Sequence, residues 1–381
     1  WSYTTLLHKL VENIISPIET KLIKITPLES ANLLQYILDN FESLVENKDD
    51  SSGCAMEFLY TCVDLWGKAW QNVEDKDIKQ LAKLVNDYYR NHQYIGSQIF
   101  ESFKVALGKE GLVYLEEYLA SDVKSLLYIV EQQNDPDKYC KILEQSNLIS
   151  DVKYVLKLSA MLVDKFRATE AIECLEKVPE NSIKMNDYIE HRKLLIKAYE
   201  DDGRVEDAQN TRWQLFIKTL YPDFYTKFMK HVKSEEDRDK YKQQAIDYAL
   251  NAKDFNHTLV FMEAIQEYDE LENLIINNLE QLSEYNYSYY RKLSKGLASH
   301  GKYLPATLLR RYLADNVLLQ AKSKYYDYAI SDLKQAIEFG DKIDNWKSFL
   351  DTKHYFSHLI EKHKKKYSFL EKLHPLLGLI K

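Results

Sequence analysis

Glycine and proline are scarce in this chain, 10 and 7 of 381 residues. Both interrupt helices, one through backbone entropy and the other through its missing N–H, so their shortage favours long helices joined by short turns. No run approaches the roughly 18 apolar residues that a membrane span needs, and no membrane association is expected. The four cysteines, Cys54, Cys62, Cys140 and Cys174, stand far apart without a C-x-x-C pair. That spacing argues against a zinc or disulfide framework and points to free thiols in a reducing compartment. Dinucleotide-binding G-x-G-x-x-G and hydrolase G-x-S-x-G patterns are also missing, which lowers the expectation of an enzyme without abolishing it. No cofactor is expected.

What is present is helical periodicity. Leu33, Leu34, Ile37, Leu38, Phe41 and Leu44 recur at three- and four-residue steps, the mark of one buried stripe on a helix. Phe58, Leu65, Trp66 and Trp70 repeat the pattern, as do Ile78, Leu81, Leu84 and Val85. The breaks are short: Asn47 to Gly53, Gln133 to Asp137, Pro179 to Ser182, and Asp201 to Gly203. Four segments resemble one another between helical stretches, beginning at Phe166, Gly203, Asp254 and Gly301. Their spacing is irregular. The expected fold is all-α, an irregular helical-hairpin, tetratricopeptide-like α-solenoid with a C-terminal three-helix module. Residues 1–300 form the solenoid in this reading and residues 301–381 the module. Its three helices carry stripes at Leu308 to Val317, Tyr325 to Ile337, and Trp346 through Leu373, with Gly340 as a stop for the second. The chain opens at Trp1 already in a helical pattern, as a piece of a longer protein would.

A net charge of −8 is unevenly spread. Residues 299–381 carry 15 Lys/Arg against 9 Asp/Glu, leaving 36 against 50 for the rest. An acidic body with a basic end can orient a partner, but it disfavours nucleic acid wrapped along the whole length. The basic end holds the candidate partner-binding residues His354, His358, Lys362, Lys364, Lys365 and Lys366. His354, His358, Lys362 and Lys366 fall at four-residue steps, one stripe if the helix continues through them. The H-x-x-x-H pair lacks a converging third ligand in the sequence, and Tyr355 stands where a zinc-protease helix has Glu. Gly296 to Lys302 satisfies G-x-x-x-x-G-K, yet Tyr303 replaces the Ser or Thr that holds Mg²⁺, and a helix rather than a strand precedes it. Tyrosine is abundant, 29 residues. Clusters occur at Tyr88, Tyr89 and Tyr94, at Tyr285, Tyr287, Tyr289 and Tyr290, and at Tyr325, Tyr326 and Tyr328. They suit either a recognition surface or the wide seams of helical repeats.

Three blocks carry a family resemblance: Asp49 to Gly53 with Phe58, Leu65 and Trp66; Tyr88 to Tyr118 around Leu107 to Leu112; and Ala306 to Leu370 with Arg311, Tyr325, Ala329, Trp346, His354, Tyr355, Leu359, His363, Lys365 and Phe369. The chain resembles a family of bacterial all-helical proteins of unknown function, sometimes encoded behind a SWIM-type zinc finger. The resemblance implies an α-solenoid in a bacterial cytoplasm and supplies no catalytic residue. The finger's own C-x-C and C-x-H pattern does not occur in this chain. Three functions are expected in descending order: a non-enzymatic scaffold holding a protein partner, a nucleic-acid accessory protein using the basic C-terminal helix, and an enzyme with dispersed active-site residues.

Overall fold

A computed structural model describes residues 9–41, 43, 53–92, 94–283, 286–320 and 322–380. Among these residues every regular element is helical, and helices pack mainly on their sequence neighbours, the arrangement of an α-solenoid. No helix among them is long and apolar enough to cross a membrane. The chain divides into two compact units, residues 1–204 and 205–381. The expected boundary near residue 300 falls within the second. Residues 47–52, Leu44 and Tyr285, all part of the expectations above, lie outside the described residues.

The first unit begins with π-helical turns and then runs through α1 (Pro27–Asp39), α2 (Cys54–Asn72), α3 (Ile78–Asn91), α4 (Gln98–Leu119), α5 (Val123–Gln133), α6 (Pro136–Gln145), α7 (Val152–Asp164), α8 (Ala168–Glu176) and α9 (Met185–Asp201). Trp66 is fully buried at its core, with Tyr88 and Phe103 at ring distances of 4.5 and 4.8 Å. α2 and α4 approach so closely that a Cβ on Gly67 would stand 2.0 Å from the Ser102 carbonyl oxygen. Only glycine fits that crossing. Aspartates start many of these helices; Asp77, Asp122 and Asp135 each accept from a backbone N–H in the first turn.

The second unit contains α10 (Val205–Thr219), α11 (Pro222–Met229), α12 (Glu235–Leu250), α13 (Phe255–Ala264), α14 (Tyr268–Asn277), α15 (Tyr287–Ser299), α16 (Tyr303–Leu319), α17 (Tyr326–Gly340), α18 (Thr352–Lys362) and α19 (Tyr367–Leu377). The stripe on α16 is buried as expected at Leu308, Leu309 and Leu313, and that on α17 at Ala329, Leu333 and Ile337. The third expected helix is corrected to two, α18 and α19, preceded by non-helical chain from 343 to 351. At Gly340 a Cβ would lie 2.4 Å from Thr352 Oγ1, so this glycine allows α18 to return tightly against α17.

One turn recurs. Among the described residues, five of the helix ends that close on a left-handed residue share one pattern, at Asn147, Phe166, Gly203, Gln266 and Gly301. The next N–H then donates back across the turn: Leu148 to Leu143, Arg167 to Leu162, Arg204 to Tyr199, Glu267 to Met262 and Lys302 to Leu297, at 2.8–3.0 Å. This backbone pattern satisfies an orphan carbonyl at the helix end and reverses the chain within a few residues.

Candidate functional site

α15, α16 and α17 form consecutive antiparallel neighbours, so α15 and α17 run the same way along the two sides of α16. Two clefts lie along this trio. The first, about 400 Å³, is lined by Tyr287 and Arg291 of α15, Leu313, Asn316, Val317 and Gln320 of α16, and Lys322, Tyr325 and Tyr328. The second, about 350 Å³, is lined by Lys295, Ala298 and Ser299 of α15, Tyr303 of α16, and Gln335, Phe339 and Lys342. Together they present four cations and no carboxylate among the described lining residues. In a chain of net charge −8 this is a local reversal of sign.

The cationic centre is fixed from beneath. Asp332 of α17 is fully buried and receives two guanidinium groups. Arg291 Nε donates to it at 3.0 Å and Nη2 at 2.6 Å, while Arg310 Nη1 donates at 2.7 Å. Arg310, itself 3% exposed, also donates to Ser294 Oγ and to the Arg291 carbonyl oxygen, each at 3.0 Å. One negative and two positive charges leave an excess of positive charge at the cleft. Asp332 and the Tyr328 and Tyr287 rings, whose centroids lie 5.4 and 5.9 Å from the guanidinium carbon, hold Arg291 in place. The charge-assisted bonds to Asp332 raise the Arg291 pKa, so it stays charged throughout the physiological range.

Tyr287, Tyr325 and Tyr328 divide from the neighbouring tyrosines of their clusters. Tyr287 and Tyr328 are 57% and 55% exposed, whereas Tyr290 and Tyr326 are buried in helix seams. The seam reading of the tyrosine clusters thus applies to Tyr290 and Tyr326, while Tyr287 and Tyr328 stay outside the seams. Sequence spacing did not reveal Arg291 or Asp332, because the pair is 41 residues apart and only the packing of α15 and α17 on α16 brings the two side chains together.

The six residues expected at the basic end are placed differently. α18 carries His354, His358 and Lys362 on its exposed surface, and His354 Nδ1 pairs with Asp351 at 2.8 Å. The helix stops at Lys362, so the stripe does not continue to Lys366, which precedes α19. His363, the residue after the helix, has a buried ring beside Phe369 and a lowered pKa, first through burial and then through Lys362, Lys366 and His358. Lys364 pairs with Glu361 at 2.6 Å, and Lys365 is exposed in the turn. Among the described residues no three His, Cys, Asp or Glu side chains converge to hold a metal ion.

Lys302, the lysine of the G-x-x-x-x-G-K segment, is ion-paired with Asp269 and Glu272. Its ammonium is occupied by carboxylates. Nearby, Arg311 is buried between the rings of Trp346 and Tyr355, with centroids 4.5 and 4.2 Å away. Nη1 donates to the Leu350 carbonyl at 2.5 Å, while burial pulls the guanidinium pKa down to about 10. This cluster fastens the chain before α18 to α16. Arg311, Trp346 and Tyr355, far apart in sequence, thus share one packing unit.

Fold and site together define an all-helical, repeat-like protein with two basic clefts lined by tyrosine and other rings. The chain matches the family of unknown function DUF6880 over residues 121–372 and belongs to that family. Both clefts lie wholly inside the matched region. No curated protein matches the chain.

Proposed function

We propose that this protein is a non-enzymatic scaffold that holds a protein partner in the α15–α17 groove. The observation that carries this reading is the alignment of two clefts with four cations, aromatic walls and no described lining carboxylate. Such a surface offers large rigid contact area from tyrosine and electrostatic selection of an acidic segment. The Arg291–Asp332–Arg310 cluster favours holding over chemistry, since arginine stays charged and does not exchange protons near neutral pH. A bacterial cytoplasmic setting and a tetratricopeptide-like role for the repeated turn belong to the same proposal.

The test is capture of a partner, its identification, and reconstitution with the purified partner. Reversing Lys295 and Lys342 to Glu is expected to abolish binding, while reversing Lys364 and Lys365 to Glu leaves it. The opposite result would move the interface to the basic turn. Salt-sensitive retention of DNA or RNA that depends on Lys362, Lys364, Lys365 and Lys366, with no protein bound, would replace the scaffold by the nucleic-acid reading.

A further inference from the structure

Resting on the groove reading, we propose the chemistry of its occupant: an extended acidic peptide segment whose aromatic side chain enters the first cleft beside a carboxylate, with a second carboxylate about four residues from that aromatic side chain. In the first cleft, the exposed faces of Tyr287 and Tyr328 stand over an apolar floor of Leu313 and Val317, a setting for a flat ring rather than a hydrated ion. The anion beside it is met by Arg291 and Lys322. Arg291 Nε and Nη2 are committed to Asp332, and Nη1 has no hydrogen-bond partner among the described residues. A donor already fixed by a buried carboxylate loses little entropy on engaging a second one.

The second anion follows from helix geometry. Along α15, Lys295 of the second cleft stands eight positions beyond Tyr287, which flanks the aromatic side chain in the first, about 12 Å at 1.5 Å per residue. An extended chain at about 3.3 Å per residue covers that distance in roughly four residues. There it meets Lys295 and Lys342. Neither lysine, nor Lys322, has an acidic partner within ion-pair distance among the described residues, whereas Lys302 and Lys372 in the same unit are paired with carboxylates. Charge complementarity selects a short acidic segment over a nucleic acid, because four cations in two short clefts match two carboxylates, whereas a long phosphate backbone would carry most of its charges beyond them.

The experiment uses an array of ten-residue Gly/Ser peptides in which Phe and two Glu residues are scanned, followed by titration calorimetry of the strongest peptide with the intact chain. The optimum is expected to place Glu beside Phe and the second Glu about four positions away, with at least tenfold loss when either Glu becomes Gln or Phe becomes Gly. Lys322→Glu and Tyr328→Ala, both at exposed positions, are expected to weaken the peptide at least tenfold with an unchanged melting curve. Lys365→Glu serves as the control that leaves it intact. Equal binding of all peptides, no binding in the millimolar range, or tighter binding of a single-stranded oligonucleotide of the same charge would each overturn the proposal. Partner capture that depends on Lys295 and Lys342 but ignores Lys322 and Tyr328 would keep the scaffold reading and remove this motif.

Discussion

Two clefts of similar size, one in each unit, treat an arginine in opposite ways. In the first unit a cavity of about 310 Å³ lies among α6, α7 and α8, with Arg167 at its edge. Arg167 Nη1 and Nη2 donate to Asp137 at 3.0 and 2.8 Å, and Nε and Nη2 donate to Glu170, both at 2.6 Å. One guanidinium serves two carboxylates, and both carboxyl pKa values lie below their ordinary range because of it. In the second unit one carboxylate, Asp332, serves two guanidiniums. The lining of the first cleft holds four carboxylates and three cations, so its charge is internally consumed. The groove of the second is left with cations to offer. A cavity and an arginine do not make an anion site; the ratio of carboxylates to cations decides.

The sharpest test of that contrast removes the carboxylates. Asp332→Ala strands two guanidiniums, one of them almost wholly buried, and is expected to cost about 3–5 kcal/mol of unfolding free energy in urea. Asp137→Asn should leave the urea midpoint unchanged, because its pair stands in water and is screened. A small effect at Asp332 would erase the distinction between the clefts. The first unit is sensitive at its helix crossing instead. Gly67→Ala drives a methyl into the Ser102 carbonyl and is expected to cost about 3 kcal/mol by the same measurement, with no change in peptide binding to the groove.

Much of this architecture is readable from residue order. The stripe at Leu308, Leu309 and Leu313 is local, and a 3.6-residue period needs no knowledge of the partner helix. Gly203 and Gly301 likewise mark their turns by type. Phe166 opens another of the similar segments, but the same turn at Asn147 and Gln266 is hidden, because the closing hydrogen bond is made by backbone and any residue that tolerates the left-handed region will serve. Between α18 and α19 neither glycine nor proline marks the break, and the charged run from Glu361 to Lys366 fits an exposed helix as well as a turn, so the stop at Lys362 is not told by residue type. The site was legible only in part. Tyr287, Tyr325 and Tyr328 stood out as clusters, whereas the charge they flank depends on a pairing between two helices.

Each unit also contains a buried histidine, and pH should act on both alike. His191 is 2% exposed, its Nε2 lies 2.9 Å from the Leu175 carbonyl oxygen, and burial lowers its pKa. His363 is lowered by burial and by its cationic neighbours. A lowered folded-state value means that the unfolded chain takes up the proton first as pH falls. The stabilisation is therefore complete above the ordinary histidine pKa of about 6.5 and declines as pH falls through the lowered folded-state value. Unfolding midpoints at pH 7.5 and 5 should show this loss, and His191→Gln and His363→Gln should each flatten it. A slope unchanged in either variant would assign the acid sensitivity to other groups.

The smallest expected effect concerns the shared turn. Phe166 holds φ at +60° with its side chain 91% exposed, while Gly203 and Gly301 occupy the equivalent place at +76°. A side chain in the left-handed region raises the energy of the folded state, and this one offsets little of that through burial. Glycine relieves the strain but also adds freedom to the unfolded chain, which cancels part of the gain. Phe166→Gly is therefore expected to stabilise by about 0.5–1 kcal/mol in chemical denaturation, and Gly301→Ala to destabilise by about 1 kcal/mol. If Phe166→Gly instead destabilises, the exposed ring must be covered by something in solution. The first unit would then possess a contact surface of its own, opposite in character to the charged groove of the second.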